Sequence, residues 1–132
     1  SATLWAVFPS HPTLGATLPA GAAGQSFVLE AVLTLILMVV ILSVSSGSKE
    51  KGLLAGVAVG AVIALEALFG GPVSGASMNP ARSLAPAVVA GRVEYLWVYL
   101  TAPVLGAVCG VLVCGVIHGP GCCRAPHKEQ NA

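Results

Sequence analysis

Residues 74–83 of this chain read SGASMNPARS, a polar stretch that lies between two long apolar segments. Pro80 suits the first position of a helix, because the N–H group that proline lacks is not used there. Asn79, directly before it, is a favoured N-cap residue, and Gly91 is expected to end the helix. The stretch therefore predicts a helix over residues 80–90 whose first N–H groups are directed back toward Asn79.

This helix is too short to cross a membrane. Eleven residues rise by about 16 Å, whereas the hydrocarbon core is about 30 Å thick. Gly70, Gly71 and Pro72 are expected to end the preceding helix, so that residues 70–79 form a loop. A loop and a half-helix within the hydrocarbon core are tolerated only where they line a water-filled cavity or are buried in protein. Residues 70–90 therefore predict a re-entrant segment.

The composition excludes most other classes of protein. The chain is 56% hydrophobic and 8% charged, against about 25% charged residues in soluble domains, which indicates several membrane spans. Its net charge of +1 gives no reason to expect a nucleic-acid partner. No nucleophile–base pair or cofactor motif is found, so we do not expect an enzyme. The tail residues His118, Cys122, Cys123 and His127 are too loosely spaced to predict a metal site, although Cys122-Cys123 suits palmitoylation.

The pattern predicts an all-α membrane protein with three transmembrane helices and one re-entrant half-helix. We expect residues 1–8 to end an earlier span, so that the chain is a fragment, and residues 9–24 to form a loop. Spans are predicted at residues 25–44, 52–69 and 95–117, and a cytoplasmic tail at residues 118–132.

Two further patterns bear on how these spans lie. Lys49 and Lys51 follow the first span and other basic residues follow the third, which puts both regions on the cytoplasmic side. Small residues recur every four positions in the second and third spans, and such stripes predict close helix packing. They are Gly52, Gly56, Gly60 and Ala64, and Ala102, Gly106, Gly110 and Cys114. The aromatic residues Tyr95, Trp97 and Tyr99 are expected at the outer interface.

Residues 75–84, GASMNPARSL, resemble the second signature loop of the aquaporin family (major intrinsic proteins), where Asn-Pro-Ala is followed by Arg. The resemblance implies one of that fold's two inverted repeats, with Asn79, Pro80 and Ala81 as the pore signature. It further implies an integral protein of a plasma membrane or bacterial inner membrane. The complete protein would be a homotetrameric channel for water or small neutral solutes that excludes protons and ions. This segment would need the N-terminal half or a second copy.

The resemblance also implies a selectivity constriction formed by Arg82, Ala67 and Ala76. Strict water channels usually carry His at the position of Ala67, so alanine predicts a wider constriction, similar to nodulin-like plant channels and their bacterial relatives. Ser83 follows the arginine where glycerol facilitators typically carry Asp, which argues against that branch. Water, glycerol, urea and metalloid acids all stay open as solutes. A non-conducting membrane fragment or adhesion-type homologue is the alternative function.

Two acidic residues lie inside the predicted spans, where such side chains usually face the bundle interior. The resemblance implies that Glu30, with Thr34 one turn further on, supports the backbone of the re-entrant loop. It implies no role for Glu66, which is expected either to snorkel to the interface or to lie at the pore mouth. For Asn79 we expect the side-chain amide and the positive end of the helix dipole to favour a water oxygen over a cation.

Overall fold

The computed structural model of the chain describes residues 2–45 and 49–118. The helices in this part are α1 (Ala2–Val7), α2 (Ala23–Ser45), α3 (Lys49–Ser74), α4 (Pro80–Ala90) and α5 (Leu96–His118). Among the described residues, three helices are long and apolar enough to cross a membrane. They are α2, α5 and the Leu54–Ser74 part of α3, with mean hydropathies of 2.8, 2.3 and 2.0. The predicted fold class is therefore confirmed. Cys122-Cys123 and His127 lie outside the described residues.

The half-helix α4 has the residue bounds that its local sequence predicts. Asn79 has the extended backbone of an N-cap, and its Oδ1 accepts hydrogen bonds from the backbone N–H groups of Ala81 (2.9 Å) and Arg82 (3.4 Å). Gly91, in the left-handed conformation (φ 65°), ends the helix, and its N–H caps carbonyl groups of the last turn. Local capping thus fixes both ends of α4.

The end of α3 differs from the prediction that Gly70, Gly71 and Pro72 stop this helix. The helix continues through all three residues to Ser74. A proline inside a helix removes one hydrogen bond, but ending a helix within lipid would leave several backbone groups unpaired, which costs more. Gly70 also serves packing, since a Cβ atom there would lie 2.8 Å from Leu33 Cδ1. The predicted loop of residues 70–79 is therefore shortened to residues 75–79.

Helix α5 packs against α2 through its small-residue stripe, as the spacing predicts. Ala102, Gly106, Gly110 and Cys114 are all buried. A Cβ atom added at Gly106 would collide with the carbonyl oxygen of Ala31, and one at Gly110 would lie 2.8 Å from Met38 Cβ. The two backbones approach so closely that only glycine fits at these crossings.

The stripe on α3 does not have this role within the described part of the chain. A Cβ atom added at Gly56 or Gly60 would meet no other atom within 4 Å, and both residues are exposed. The described residues therefore place no neighbour on this stripe, and its role in packing stays a prediction. The period of four in a sequence shows that close approach is possible, but it does not show that a helix lies opposite.

The aromatic residues at the start of α5 divide into two groups. Tyr95 and Trp97 are exposed, and the Trp97 ring stacks on Phe27 with 5.8 Å between ring centroids. Tyr99 is 1% exposed, so its expected place in the outer interface belt is wrong. Its hydroxyl instead donates a hydrogen bond to the carbonyl oxygen of Ser74, at 2.7 Å.

Candidate pore-lining site

The loop between α3 and α4 has a strained backbone. Gly75, Ala76 and Met78 have positive φ angles of 87°, 42° and 52°. Glycine adopts such angles easily, whereas each non-glycine residue in this region costs about 1–3 kcal/mol unless its surroundings hold it. Contacts from other elements must therefore fix Ala76 and Met78 in place.

Glu30 of α2 provides the main contacts. Its Oε1 atom accepts hydrogen bonds from the Ser77 N–H (2.8 Å) and the Ser74 hydroxyl (2.7 Å), and its Oε2 atom accepts one from the Met78 N–H (2.8 Å). Glu30 itself is 0% exposed. A buried carboxylate with three donors is well satisfied, and each of these bonds is stronger than one between neutral groups. The geometry thus places Glu30 where it holds the loop backbone.

Ser74 and Tyr99 extend this support, which the sequence analysis did not predict. Besides donating to Glu30, the Ser74 hydroxyl accepts a hydrogen bond from the Ala76 N–H, at 3.2 Å. The Tyr99 hydroxyl holds the Ser74 carbonyl group, which lies at the end of α3 and has no further helical turn to bond to. Helices α2 and α3 therefore contribute side chains to the loop, and α5 holds the residue that directly precedes it.

Thr34 does not reach the loop in this structure. Its hydroxyl donates to the carbonyl oxygen of Glu30, at 2.7 Å, within α2 itself. A Cβ atom added at Gly106 would lie 3.0 Å from the Thr34 Cβ atom. Thr34 thus lies at the crossing of α2 and α5, and any support that it gives to the loop acts through the backbone of Glu30.

Three buried hydroxyl groups form a second set of contacts at the base of α4, which sequence reasoning missed. Thr17 Oγ1 lies 2.6 Å from Ser83 Oγ, and Ser83 Oγ lies 2.5 Å from Ser77 Oγ. The Ser77 hydroxyl donates to the carbonyl oxygen of Asn79, at 2.9 Å. Thr17 belongs to the long segment between α1 and α2, so this segment is connected to the signature loop.

Arg82 folds back over the loop. Its Nη1 atom donates to the carbonyl oxygen of Ala76, with the Gly75 and Ser77 carbonyl oxygens each at 3.4 Å. The loop carbonyl groups therefore orient the guanidinium group and keep its positive charge close to Asn79. The exposed Asn79 side chain has its Oδ1 atom directed at α4, so its NH₂ group points away from the helix.

A cleft of about 310 Å³ brings together four of the predicted site residues, which are Asn79, Arg82, Ala67 and Ala76. Its polar lining consists of Asn79, Arg82 and Ser77. The apolar lining consists of Leu37, Ile63, Ala67, Ala76 and Met78. Pro80 and Ala81 do not line the cleft and instead form the first turn of α4.

Glu66 directly precedes the cleft-lining residue Ala67 but is itself buried. It is 2% exposed, so it does not snorkel to the membrane surface, and it is not among the residues that line the cleft. Both carboxylate oxygens are buried and have no hydrogen-bond partner in the part of the chain that the structure describes. The structure thus overturns the snorkelling alternative, and the pore-mouth alternative has no support from the cleft.

These features define an integral membrane protein with three spans, a re-entrant loop and a half-helix, in which an amide and a guanidinium group line a cleft. The model of the family described as major intrinsic protein matches residues 2–114. The chain belongs to this family, whose members are membrane channels.

Curated relatives agree with this family. Aquaporin NIP1-4 of Oryza sativa subsp. japonica is 50% identical over 111 residues, which are 84% of this chain and 41% of the relative. Nodulin-26 of Glycine max is 45% identical over 108 residues (82% and 40%). Aquaporin NIP6-1 of Arabidopsis thaliana is 40% identical over 128 residues (97% and 42%). The chain spans about two fifths of the length of these relatives.

Proposed function

We propose that the complete protein to which this chain belongs is a passive transmembrane channel for water and small neutral solutes. The observation that carries the proposal is the cleft that Asn79, at the N-terminus of α4, and Arg82 line together with apolar residues. A path lined by both hydrogen-bond donors and apolar groups lets a neutral molecule exchange its water partners one at a time.

The same groups support exclusion of protons and ions. The Asn79 NH₂ group and the positive end of the α4 dipole both favour the oxygen of a passing water molecule and oppose a cation. Arg82 adds a fixed positive charge to the lining of the same cleft. In this proposal Asn79, Pro80 and Ala81 form the pore signature, since Pro80 and Ala81 start the helix whose N-terminus orients the Asn79 side chain.

The solute class follows from the small side chains at the proposed constriction. Ala67 and Ala76 contribute only methyl side chains to the cleft that Arg82 also lines, which leaves room for solutes larger than water. We therefore propose that water and a small polyol such as glycerol both pass. The similarity to NIP-type aquaporins and Nodulin-26 supports a constriction of this wider kind.

The length of α4 supports a requirement for a second half. At about 16 Å, its 11 residues cover only part of a hydrocarbon core of about 30 Å. We propose that an N-terminal half or a second copy completes the pore in a lipid bilayer. We further propose a homotetramer of the complete protein, in a plasma membrane or bacterial inner membrane.

The experiment is stopped-flow osmotic swelling of vesicles that contain the purified full-length protein, with water and glycerol as solutes. Ala67→Trp should abolish both permeabilities, because the indole ring fills the cleft. Leu68→Trp is the matched control, since Leu68 is the next residue of α3, is 75% exposed and does not line the cleft. Equal permeability of the two variants would remove the cleft from the pore. A wild-type protein that conducts neither solute would favour the non-conducting alternative.

A further inference from the structure

The three hydroxyl groups of Thr17, Ser83 and Ser77 have a fixed direction. The Ser77 hydroxyl hydrogen is used toward the carbonyl oxygen of Asn79, so Ser77 must accept the hydrogen of Ser83. Ser83 must then accept the hydrogen of Thr17. Because a hydroxyl group has only one hydrogen, these hydrogen bonds are all donated in one direction, from Thr17 toward Asn79. Buried hydrogen bonds arranged head to tail polarise and strengthen one another.

The last acceptor in this series of hydrogen bonds is the carbonyl oxygen of Asn79, the N-cap residue of α4. The Ser83 N–H is 3.4 Å from the Asn79 carbonyl oxygen, whereas the Ser77 hydroxyl is 2.9 Å from it. The hydroxyl is therefore the closer partner of this carbonyl group. Rotation of the peptide would move the Asn79 side chain and the first turn of α4, which carries Arg82.

The segment that carries Thr17 is held against the site at two points. The Ala20 N–H donates to the carbonyl oxygen of Val73, at 2.9 Å. A Cβ atom at Gly75 would lie 3.0 Å from Thr17 Cγ2, so the threonine methyl group packs directly on the strained loop. Thr17 is itself only 8% exposed. Its methyl and hydroxyl groups thus have separate contacts, which allows them to be tested separately.

We propose that Thr17, acting through Ser83 and Ser77, is a positioning residue that sets the solute selectivity of the constriction from the segment between α1 and α2. This inference rests on the proposed channel function. The Thr17 hydroxyl fixes the orientation of the Asn79 peptide, and the position of Arg82 in the cleft that Ala67 also lines follows from that orientation. Loss of the hydroxyl loosens the position of Arg82 and admits the larger solute more readily.

The test measures the ratio of glycerol to water permeability for the full-length protein in vesicles. A ratio does not depend on how much protein folds, so a variant that is merely less stable leaves it unchanged. Thr17→Val keeps the methyl contact with Gly75 and removes the hydroxyl. It should raise the ratio about fivefold, which corresponds to about 1 kcal/mol, the typical contribution of one hydrogen bond. Thr17→Ser retains the hydroxyl and should stay close to wild type.

Thr101→Val is the control for the same chemical change, because the Thr101 hydroxyl bonds to the Trp97 carbonyl oxygen on an exposed part of α5. Ser83→Ala removes the middle one of the three hydroxyl groups. It should raise the ratio of glycerol to water permeability at least as much as Thr17→Val. The double variant should match Ser83→Ala alone, since Thr17 then has no hydroxyl to act through.

Additive effects in the double variant would overturn the proposal, as would a Thr17→Val ratio equal to that of Thr101→Val. If Thr17→Val does not fold, the Ser83→Ala ratio decides the question by itself. A wild-type protein without any permeability would refute the proposed channel function, which is a separate outcome from an unchanged ratio in a conducting protein.

Discussion

Replacement of Glu30 tests the support of the re-entrant loop most directly. Glu30→Ala removes three hydrogen bonds and leaves the N–H groups of Ser77 and Met78 buried without acceptors. Bonds to a charged group contribute about 1.5–3 kcal/mol each, so the expected loss of stability is about 5 kcal/mol. Glu30→Gln keeps an oxygen for the two donors at Oε1 but places an NH₂ group opposite the Met78 N–H. Its expected loss is about 2 kcal/mol, the value of one such bond.

The assay is thermal unfolding of the full-length protein in detergent, together with water permeability per folded molecule in vesicles. The order wild type, Glu30→Gln, Glu30→Ala is expected in both measurements. Glu94→Ala serves as a control, because Glu94 is an exposed acidic residue between α4 and α5. If Glu30→Ala is as stable as Glu30→Gln, or if both equal the Glu94 variant, the loop does not depend on this carboxylate.

Three further predictions concern other parts of the chain. Arg82→Val should raise the proton leak about tenfold or more, since a barrier lowered by only 1.4 kcal/mol gives that factor. The leak is measured with a pH-sensitive dye in vesicles, and an unchanged leak would place Arg82 outside the pore. Gly106→Ala should destabilise the protein by about 1–3 kcal/mol, because its Cβ atom would collide with the Ala31 carbonyl group. Gly115→Ala should be neutral or slightly stabilising in the same thermal assay, since a Cβ atom at Gly115 would meet no other described atom within 4 Å. Glu66→Met should raise stability by about 1–2 kcal/mol, because a buried carboxylate without a donor is costly; a less stable variant would mean that a group outside the described residues binds Glu66.

The bounds of α4 could be predicted because they depend on local chemistry. Asn79, Pro80 and Gly91 act on their own backbone or on groups within one turn, so their effect is readable without knowledge of the fold. The support role of Glu30 came from resemblance to a family, and the sequence could not supply its partners. Its three donors lie 44 to 48 residues further along the chain.

The remaining features depend on which face of a helix points inward. In α5 apolar residues occur all around the helix, so nothing in the sequence distinguishes Tyr99, which is buried, from Trp97, which is not. The same limit applies to the two small-residue stripes: among the described residues the one on α5 meets a neighbouring helix, whereas Gly56 and Gly60 on α3 do not. The α3 end was missed because rules for Gly and Pro come from helices in water, where a broken turn can bond to solvent.

The distance in sequence between Glu30 and its donors has a consequence for biogenesis. A ribosome completes α2 well before it reaches Ser74, Ser77 and Met78, so Glu30 enters the translocon as an acidic residue without a partner. Such a residue costs up to about 3 kcal/mol on insertion. The run of Leu, Ile and Val that follows in α2 contributes about 0.3–0.6 kcal/mol per residue, enough to offset that cost while the rest of the chain is synthesised. The apolar excess of α2 is therefore a requirement of co-translational insertion, set by how late the loop arrives.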